Sequence, residues 1–349
     1  YLEKFIGQNQ EAPHARMLLA GLYRDTKQEL KAQALLLTLF DDEDIELNSK
    51  VLVLGAYNAE INQSRQNPNA QIEKFAQQLF EKLNAQYAAN TNVLILGGDL
   101  YLALGNTEKS KAYYLQAINS GHVNFEVWQN LLYLEAQLNN FDSIITHAET
   151  ALENYPSQGM LYYFLGYAHL RKHQYTQACE AYEQAKKMLP DNKPLISEIN
   201  AMLGDAYNEL KQYERSEEAF EAALAINPKN YTVLNNYSYY LALRKAHLDK
   251  AEKMCVVLIR DNPDNAAFLD TYAWVLYMQK KYQEAKKIIE RALAAATPSA
   301  THLDHYGDIL YRLGDVDGAV QQWQKARTAG ADADIPSLDK KIANKTVYD

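Results

Sequence analysis

The sequence predicts an all-α solenoid built from antiparallel helix pairs, and three observations carry that reading. Gly98, Leu132, Gly166, Gly204, Ser238, Ala273 and Gly307 recur at gaps of 34, 34, 38, 34, 35 and 34 residues. Around each of them, apolar residues fall at helical spacing on two successive stripes. In six of the seven units Ser or Ala follows the landmark twelve or thirteen positions on, where two helices must approach closely. A fixed period of that size belongs to repeats that bury their apolar faces by stacking on their neighbours.

In chain order, Tyr1–Ile6 reads as the tail of an earlier unit, and Leu19, Ala20, Tyr23, Ala32 and Leu36 as the first irregular one. Val51, Leu54 and Gly55 open a second, with 43 residues between Gly55 and Gly98. Its extra length falls in the polar stretch 62–69, before the well-patterned Ile72, Phe75, Ala76, Leu79, Phe80 and Leu83. Leu94, Gly98, Tyr101, Ser110, Tyr114 and Ala117 form the next unit. Trp128, Leu131, Ala148, Ala151 and Pro156 form a weaker copy, in which Leu132, Glu135 and Ile144 depart from the pattern. The clearest unit has Tyr162, Leu165, Gly166, Tyr175, Ala178, Tyr182, Ala185 and Pro190; Gly166 and Ala178 are small so that its two helices can meet. Four extra residues near 192–197 amount to one helical turn, which lengthens a helix without rotating its apolar stripe. Leu203, Gly204, Tyr207, Ser216, Phe220, Ala223 and Pro228 follow. Next come Leu234, Leu241, Ala251, Cys255, Leu258 and Pro263, with one residue added near Arg244–Leu248. Leu269, Ala273, Leu276, Ala285, Ile289 and Ala292, and then Leu303, Gly307, Leu310, Ala319, Trp323 and Ala326, complete the array. Ile335, Leu338 and Ile342 suggest a short helix over the last open face.

The recurring aromatic, Leu-Gly, Tyr, Ala, Phe or Tyr, Ala and closing Pro resemble the tetratricopeptide repeat. The resemblance implies a right-handed α-solenoid (superhelix). It divides a single array over 1–349 into a tail (1–10), two irregular repeats (11–90), seven regular repeats (91–333) and a cap (334–349). Residues 266–349 are further similar to the terminal repeats of long bacterial envelope proteins of the Bacteroidetes type, often lipoproteins. The chain starts with Tyr inside a repeat, so a signal peptide or lipid-attachment cysteine is expected upstream, and the reading leans to the bacterial periplasm.

The net charge of −9, with no Lys/Arg cluster, argues against a nucleic-acid partner. No run approaches the ~18 apolar residues of a membrane span. Cys179 and Cys255 lie two repeats apart, and Cys255 takes a core aromatic position, so no disulfide is expected. No catalytic motif and no metal-ligand spacing is present, which points to a noncatalytic protein without cofactor or metal. His302 and His305, with Asp304 and Asp308 nearby, read as a solvated helix face. The Asn-x-Ser/Thr triplets at Asn62, Asn230, Asn236 and Asn344 are those expected by chance in an Asn-rich chain.

In this family the first helices line a concave groove, and residues one position beyond the core stripe turn ~100° toward it. That face includes Asn92, Ile95, Asp99, Leu102, Gln129, Tyr133, Ala136, Tyr163 and Tyr167. Its C-terminal block carries Tyr239, Asp270, Trp274, Tyr277, Asp304, Asp308 and Tyr311. Aromatic residues among carboxylates suit a protein or an extended peptide, neutral or basic. The Lys/Arg/Asn clamp that grips chaperone C-termini has no counterpart at these positions. The function expected is that of a scaffold or adaptor for a protein partner. A carbohydrate-binding array, an enzyme-associated subunit and a cytoplasmic co-chaperone are the other readings.

Overall fold

The computed structural model of the protein describes residues 13–330 and 337–348, among which the chain forms nineteen α-helices and no strand. The expected tail at Tyr1–Ile6 and the contribution of Ile335 to the cap lie outside the described residues. The chain divides into two compact units, residues 1–168 and 169–349. In the first unit the helices are α1 (Pro13–Asp25), α2 (Glu29–Leu39), α3 (Leu47–Gln63), α4 (Ala70–Gln86), α5 (Thr91–Ala103), α6 (Thr107–Ser120), α7 (Phe125–Gln137) and α8 (Phe141–Asn154). Helix α9 (Gly159–Arg171) runs across the boundary. The second unit contains α10 (Tyr175–Met188), α11 (Lys193–Glu209), α12 (Tyr213–Ile226), α13 (Tyr231–Leu243), α14 (Leu248–Asp261), α15 (Ala266–Met278), α16 (Tyr282–Ala295), α17 (Ala300–Arg312), α18 (Val316–Ala329) and α19 (Leu338–Asn344).

Odd-numbered helices up to α17 open a repeat and even-numbered ones close it. The turn inside each pair is stereotyped. Seven residues beyond each landmark, the backbone enters the left-handed region: Gly105, Asn139, His173, Lys211, Lys245, Lys280 and Gly314, with φ between 54° and 89°. The next residue's N–H then reaches back across the turn, as in Asn106 to Tyr101 O (2.8 Å), Gln212 to Tyr207 O (2.8 Å) and Asp315 to Leu310 O (3.0 Å). This closure satisfies carbonyls at the end of the first helix and sends the chain back antiparallel. Glycine meets the left-handed requirement without strain at Gly105 and Gly314, while Asn, His and Lys tolerate it elsewhere. The residue added near Arg244–Leu248 is absorbed by a second left-handed position, His247.

Asparagine side chains start many of the helices. Asn69, Asn90, Asn106, Asn124, Asn192, Asn230 and Asn265 each accept from a backbone N–H of the first turn, which satisfies donors that the helix leaves open. Asn230, one of the Asn-x-Ser/Thr sites, is therefore a helix cap. The four-residue insertion lengthens α11 to 17 residues, where α9 and α13 have 13. Its stripe Ile199, Leu203 and Ala206 stays fully buried. Most of the nine extra residues after Gly55 also become helix: α3 and α4 have 17 residues each.

Packing inside the pairs follows an exchange of volume. A Cβ on Gly98 would strike the Tyr114 ring, one on Gly204 would sit 2.5 Å from the Phe220 ring, and one on Gly307 would strike the Trp323 indole. At the same two positions, sixteen residues apart, Leu132 faces Ala148's place and Ala273 that of Ile289, all four fully buried. A large residue on one helix is met by a small one on the other, which holds the density near that of a crystal interior. Where serine takes a small position, its hydroxyl stays inside the pair: Ser110 Oγ donates to Gly98 O and Ser216 Oγ to Gly204 O, both at 2.7 Å. Glu135, fully buried in α7, accepts from His147 Nδ1 (2.9 Å) and lies 3.6 Å from Lys111 Nζ, so that departure from the pattern is paired.

Candidate functional site

The C-terminal block of the expected groove is closed. In the second unit Asp270, Trp274, Tyr277, Asp304 and Asp308 are all buried, with Asp308 only 3% exposed. Tyr239 and Tyr311 are half-buried. First helices of successive repeats pack directly on one another here, α13 on α15 and α15 on α17. Residues one position past the core stripe therefore bridge helices instead of facing solvent. The Trp274 ring stacks on Tyr277 at 4.8 Å and on His305 at 4.0 Å. His305 is buried, not solvated, and its Nδ1 lies 2.9 Å from Asp270 Oδ1. Burial opposes its charged form, but Asp270, Asp304 and Asp308 outweigh that and raise its pKa above 6.5. His302 instead caps α17 with Ser299. Among the described residues no group of three or more His, Cys, Asp or Glu could hold a metal ion.

Trp274 thus belongs to the packing of the array. Trp274→Ala should cost about 2–3 kcal/mol, below the usual figure for a buried indole because its buried Nε1 already lacks an acceptor. Chemical denaturation measures this, and an unchanged midpoint would return Trp274 to an open surface.

Cys179 and Cys255 are free and buried, and burial pushes their thiols up to about 11 and about 12. Burial of this kind disfavours the thiolate, the form that acts as nucleophile.

A polar open concavity lies in the first unit; a more apolar cleft of about 770 Å³, lined by Leu293, Leu303 and Tyr306, lies in the second. Helices α3, α5 and α7, all first helices, surround a hollow of about 490 Å³. Asn58, Asn62, Arg65, Asp99, Asn124 and Asn130 supply its polar wall, and Ile95 and Leu102 its apolar one. A neighbouring cleft of about 490 Å³ shares Arg65 and Leu102 and extends the hollow to Tyr133 and Gln137. Tyr133 is 54% exposed. Tyr163 packs against Phe164, and Tyr167 against Phe141 at 5.9 Å.

The polar wall is partly self-satisfied. Tyr114 donates to Asp99 Oδ1 at 2.6 Å and accepts from Asn130 Nδ2 at 3.2 Å. Burial raises the Asp99 pKa, against the Tyr114 hydrogen bond and with a smaller push from Glu126. Arg65 Nη2 donates to Leu102 O at 2.8 Å. Asn58 is 6% exposed, and its Nδ2 donates to Leu96 O at 3.1 Å, while its buried Oδ1 has no partner. An unpaired buried acceptor costs free energy until a donor reaches it. The hollow itself presents Asn62, Asp99, Asn124, Glu126 and Asn130, side chains that suit a chain bringing N–H donors and little negative charge. Ile95, Asp99, Leu102 and Tyr133 sit on the helix face read from the sequence. Asn58, Asn62 and Arg65 were not read there, because they lie in the repeat whose 43-residue spacing breaks the register.

No helix among the described residues is long and apolar enough to cross a membrane. One tetratricopeptide repeat family model matches residues 93–120 and 197–230, and a second matches 130–193 and 273–334. No curated protein matches the chain. Among solved structures, a tetratricopeptide repeat protein from Parabacteroides merdae ATCC 43184 superposes with a TM-score of 0.57 at 16% identity, covering 73% of this chain and 98% of that one. PilW, a type IV pilus biogenesis factor, gives a TM-score of 0.53 at 16% identity over 62% of this chain and 99% of its own. At these identities the likeness is one of fold. With repeat models matching more than half of its residues, and helix pairs closed by the same turn in both units, the chain belongs to the tetratricopeptide repeat family.

Proposed function

We propose that this protein is a noncatalytic adaptor that holds an extended, neutral or basic segment of a protein partner in the concavity of its first unit. The observation that carries the reading is the polar hollow among α3, α5 and α7, walled by Asn58, Asn62, Asp99, Asn124 and Asn130. Main-chain N–H groups of the partner meet the exposed polar side chains of the wall, such as Asn62, and Tyr133 at the rim offers aromatic contact area of the kind that dominates interfaces. Asp99 and Glu126 favour a segment without carboxylates. The half-buried Tyr163 and Tyr167 extend the recognition surface within the first unit. In the second unit Asp270 and Trp274 instead hold successive first helices together through His305. A location in the bacterial envelope, reached from a lipid-anchored precursor, rests on the resemblance of residues 266–349 to envelope lipoproteins. Protein scaffolding is the usual work of this fold, and PilW, a type IV pilus biogenesis factor, shares it.

The test starts from partners captured from an envelope extract. Asn62→Ala with Tyr133→Ala should weaken the captured partner at least tenfold, about 1.4 kcal/mol, with the melting temperature unchanged because both side chains are exposed. Unaltered affinity would remove the groove from the account. Binding to glycans, with no protein captured, would favour a carbohydrate-binding array instead.

A further inference from the structure

The acidic residues at the end of the array already hold a ligand, and it comes from the same chain. Helix α19 lays Lys341 into the second unit with only 4% of the residue exposed. Its Nζ lies 2.9 Å from both Asp304 oxygens, 2.8 Å from Asp308 and 5.9 Å from the centre of the Trp323 ring. The pocket is held in shape from behind: Trp323 Nε1 donates to Asp308 Oδ1 at 2.9 Å. Asp304 and Asp308 stand one turn apart on α17 and converge on one point, which suits a compact ammonium with three donors better than a planar guanidinium.

The helix that delivers this ammonium is lightly attached. It has seven residues and is bracketed by left-handed backbone at Ser337 and Lys345. Such a length does not sustain a helix on its own. Its apolar anchors are Leu338 and Ile342; beyond its end Val347 packs on the same cluster and Thr346 shares one hydrogen bond with Tyr311 at 3.0 Å. Beneath it, α17 and α18 close on each other through Leu303, Leu310, Ala319, Trp323 and Ala326.

We propose that Asp304, Asp308 and Trp323 form a lysine-binding pocket for a partner protein, and that α19 is a displaceable plug whose Lys341 occupies the pocket in the partner's absence. The partner segment is a short helix with an apolar residue three positions before its lysine and another directly after, the arrangement of Leu338, Lys341 and Ile342. Plug and partner compete for the same two carboxylates, so the plug sets a threshold that only a better-fitting segment passes. This site goes beyond the groove of the first unit and does not depend on it.

The probe is a fluorescent synthetic peptide spanning residues 337–348, used with full-length protein and read by fluorescence anisotropy. Wild-type protein should bind it weakly, and the Lys341→Ala protein at least tenfold more tightly. A peptide with methionine in place of Lys341 should lose that gain, as should the Lys341→Ala protein carrying Asp304→Asn and Asp308→Asn. Circular dichroism checks that each variant is folded, and Lys341→Met, which keeps the aliphatic stem, is the second route to an open pocket. Equal binding of the two peptides by a folded open variant would overturn the proposal. Loss of the native helical signal in both Lys341 variants would overturn it too, since α19 would then be integral to the fold.

Discussion

Trp323→Ala should cost the second unit about 3–5 kcal/mol, the range for deleting a fully buried large aromatic. The indole is 0% exposed and touches the backbone of Gly307, a contact no other residue at position 307 would allow. Alanine leaves a hollow between two helices that cannot close onto a rigid backbone, and it takes the Nε1 donor from Asp308, leaving that carboxylate with Lys341. Burial, and then the nearby Asp304, raise the Asp308 pKa to about 6, with Lys341 opposing. Removing a hydrogen-bond donor from such a carboxylate adds to the cost. Trp323→Phe should fall well short of the alanine loss, because it keeps most of the volume and gives up only the N–H. Hydrogen exchange of α17 and α18 measures both. Protection in these helices unchanged by the alanine would contradict the packing described.

Gly204→Leu tests the exchange of volume between paired helices. The new side chain meets the Phe220 ring at its first carbon, so α11 and α12 must separate. Overpacking of this kind costs about 1–3 kcal/mol or more. Phe220→Ala alone makes a cavity at a cost of about 3–5 kcal/mol. The double variant recreates the Leu132 and Ala148 arrangement of the first unit and should be more stable than the sum of the single losses by about 2 kcal/mol, a coupling within the range of contacting pairs. Denaturation of the four proteins gives the cycle directly. Simple additivity would mean that the two positions do not compensate each other.

Much of the fold is legible in the sequence because repetition amplifies weak local signals. The gaps of 34, 34, 38, 34, 35 and 34 recur unchanged in the left-handed turn residues from Gly105 to Gly314. The extra turn in α11 follows from four inserted residues, since four residues return the stripe to nearly the same face. The candidate site is less legible. Helical spacing places Ile95, Asp99 and Tyr133 on one face, but it does not tell how closely the next first helix approaches. That distance decides whether Asp270 and Trp274 meet solvent or His305. Lys341 is separated from Asp304 by 37 residues, and no periodicity links a residue after the last repeat to the helix it covers. Asn58, Asn62 and Arg65 escaped for a different reason: the 43-residue spacing of their repeat breaks the register that would have placed them.

The account turns on where a protein partner lies, and site-specific photocrosslinking locates it. A photoreactive phenylalanine derivative placed at position 62, 133, 239 or 311, one at a time, reports contact within a few ångströms in the assembled complex. Positions 62 and 133 should both crosslink to the same segment of one partner, with yields that fall when that segment is given acidic residues. Crosslinks confined to positions 239 and 311, with the partner still bound, would contradict the assignment of the groove to the first unit.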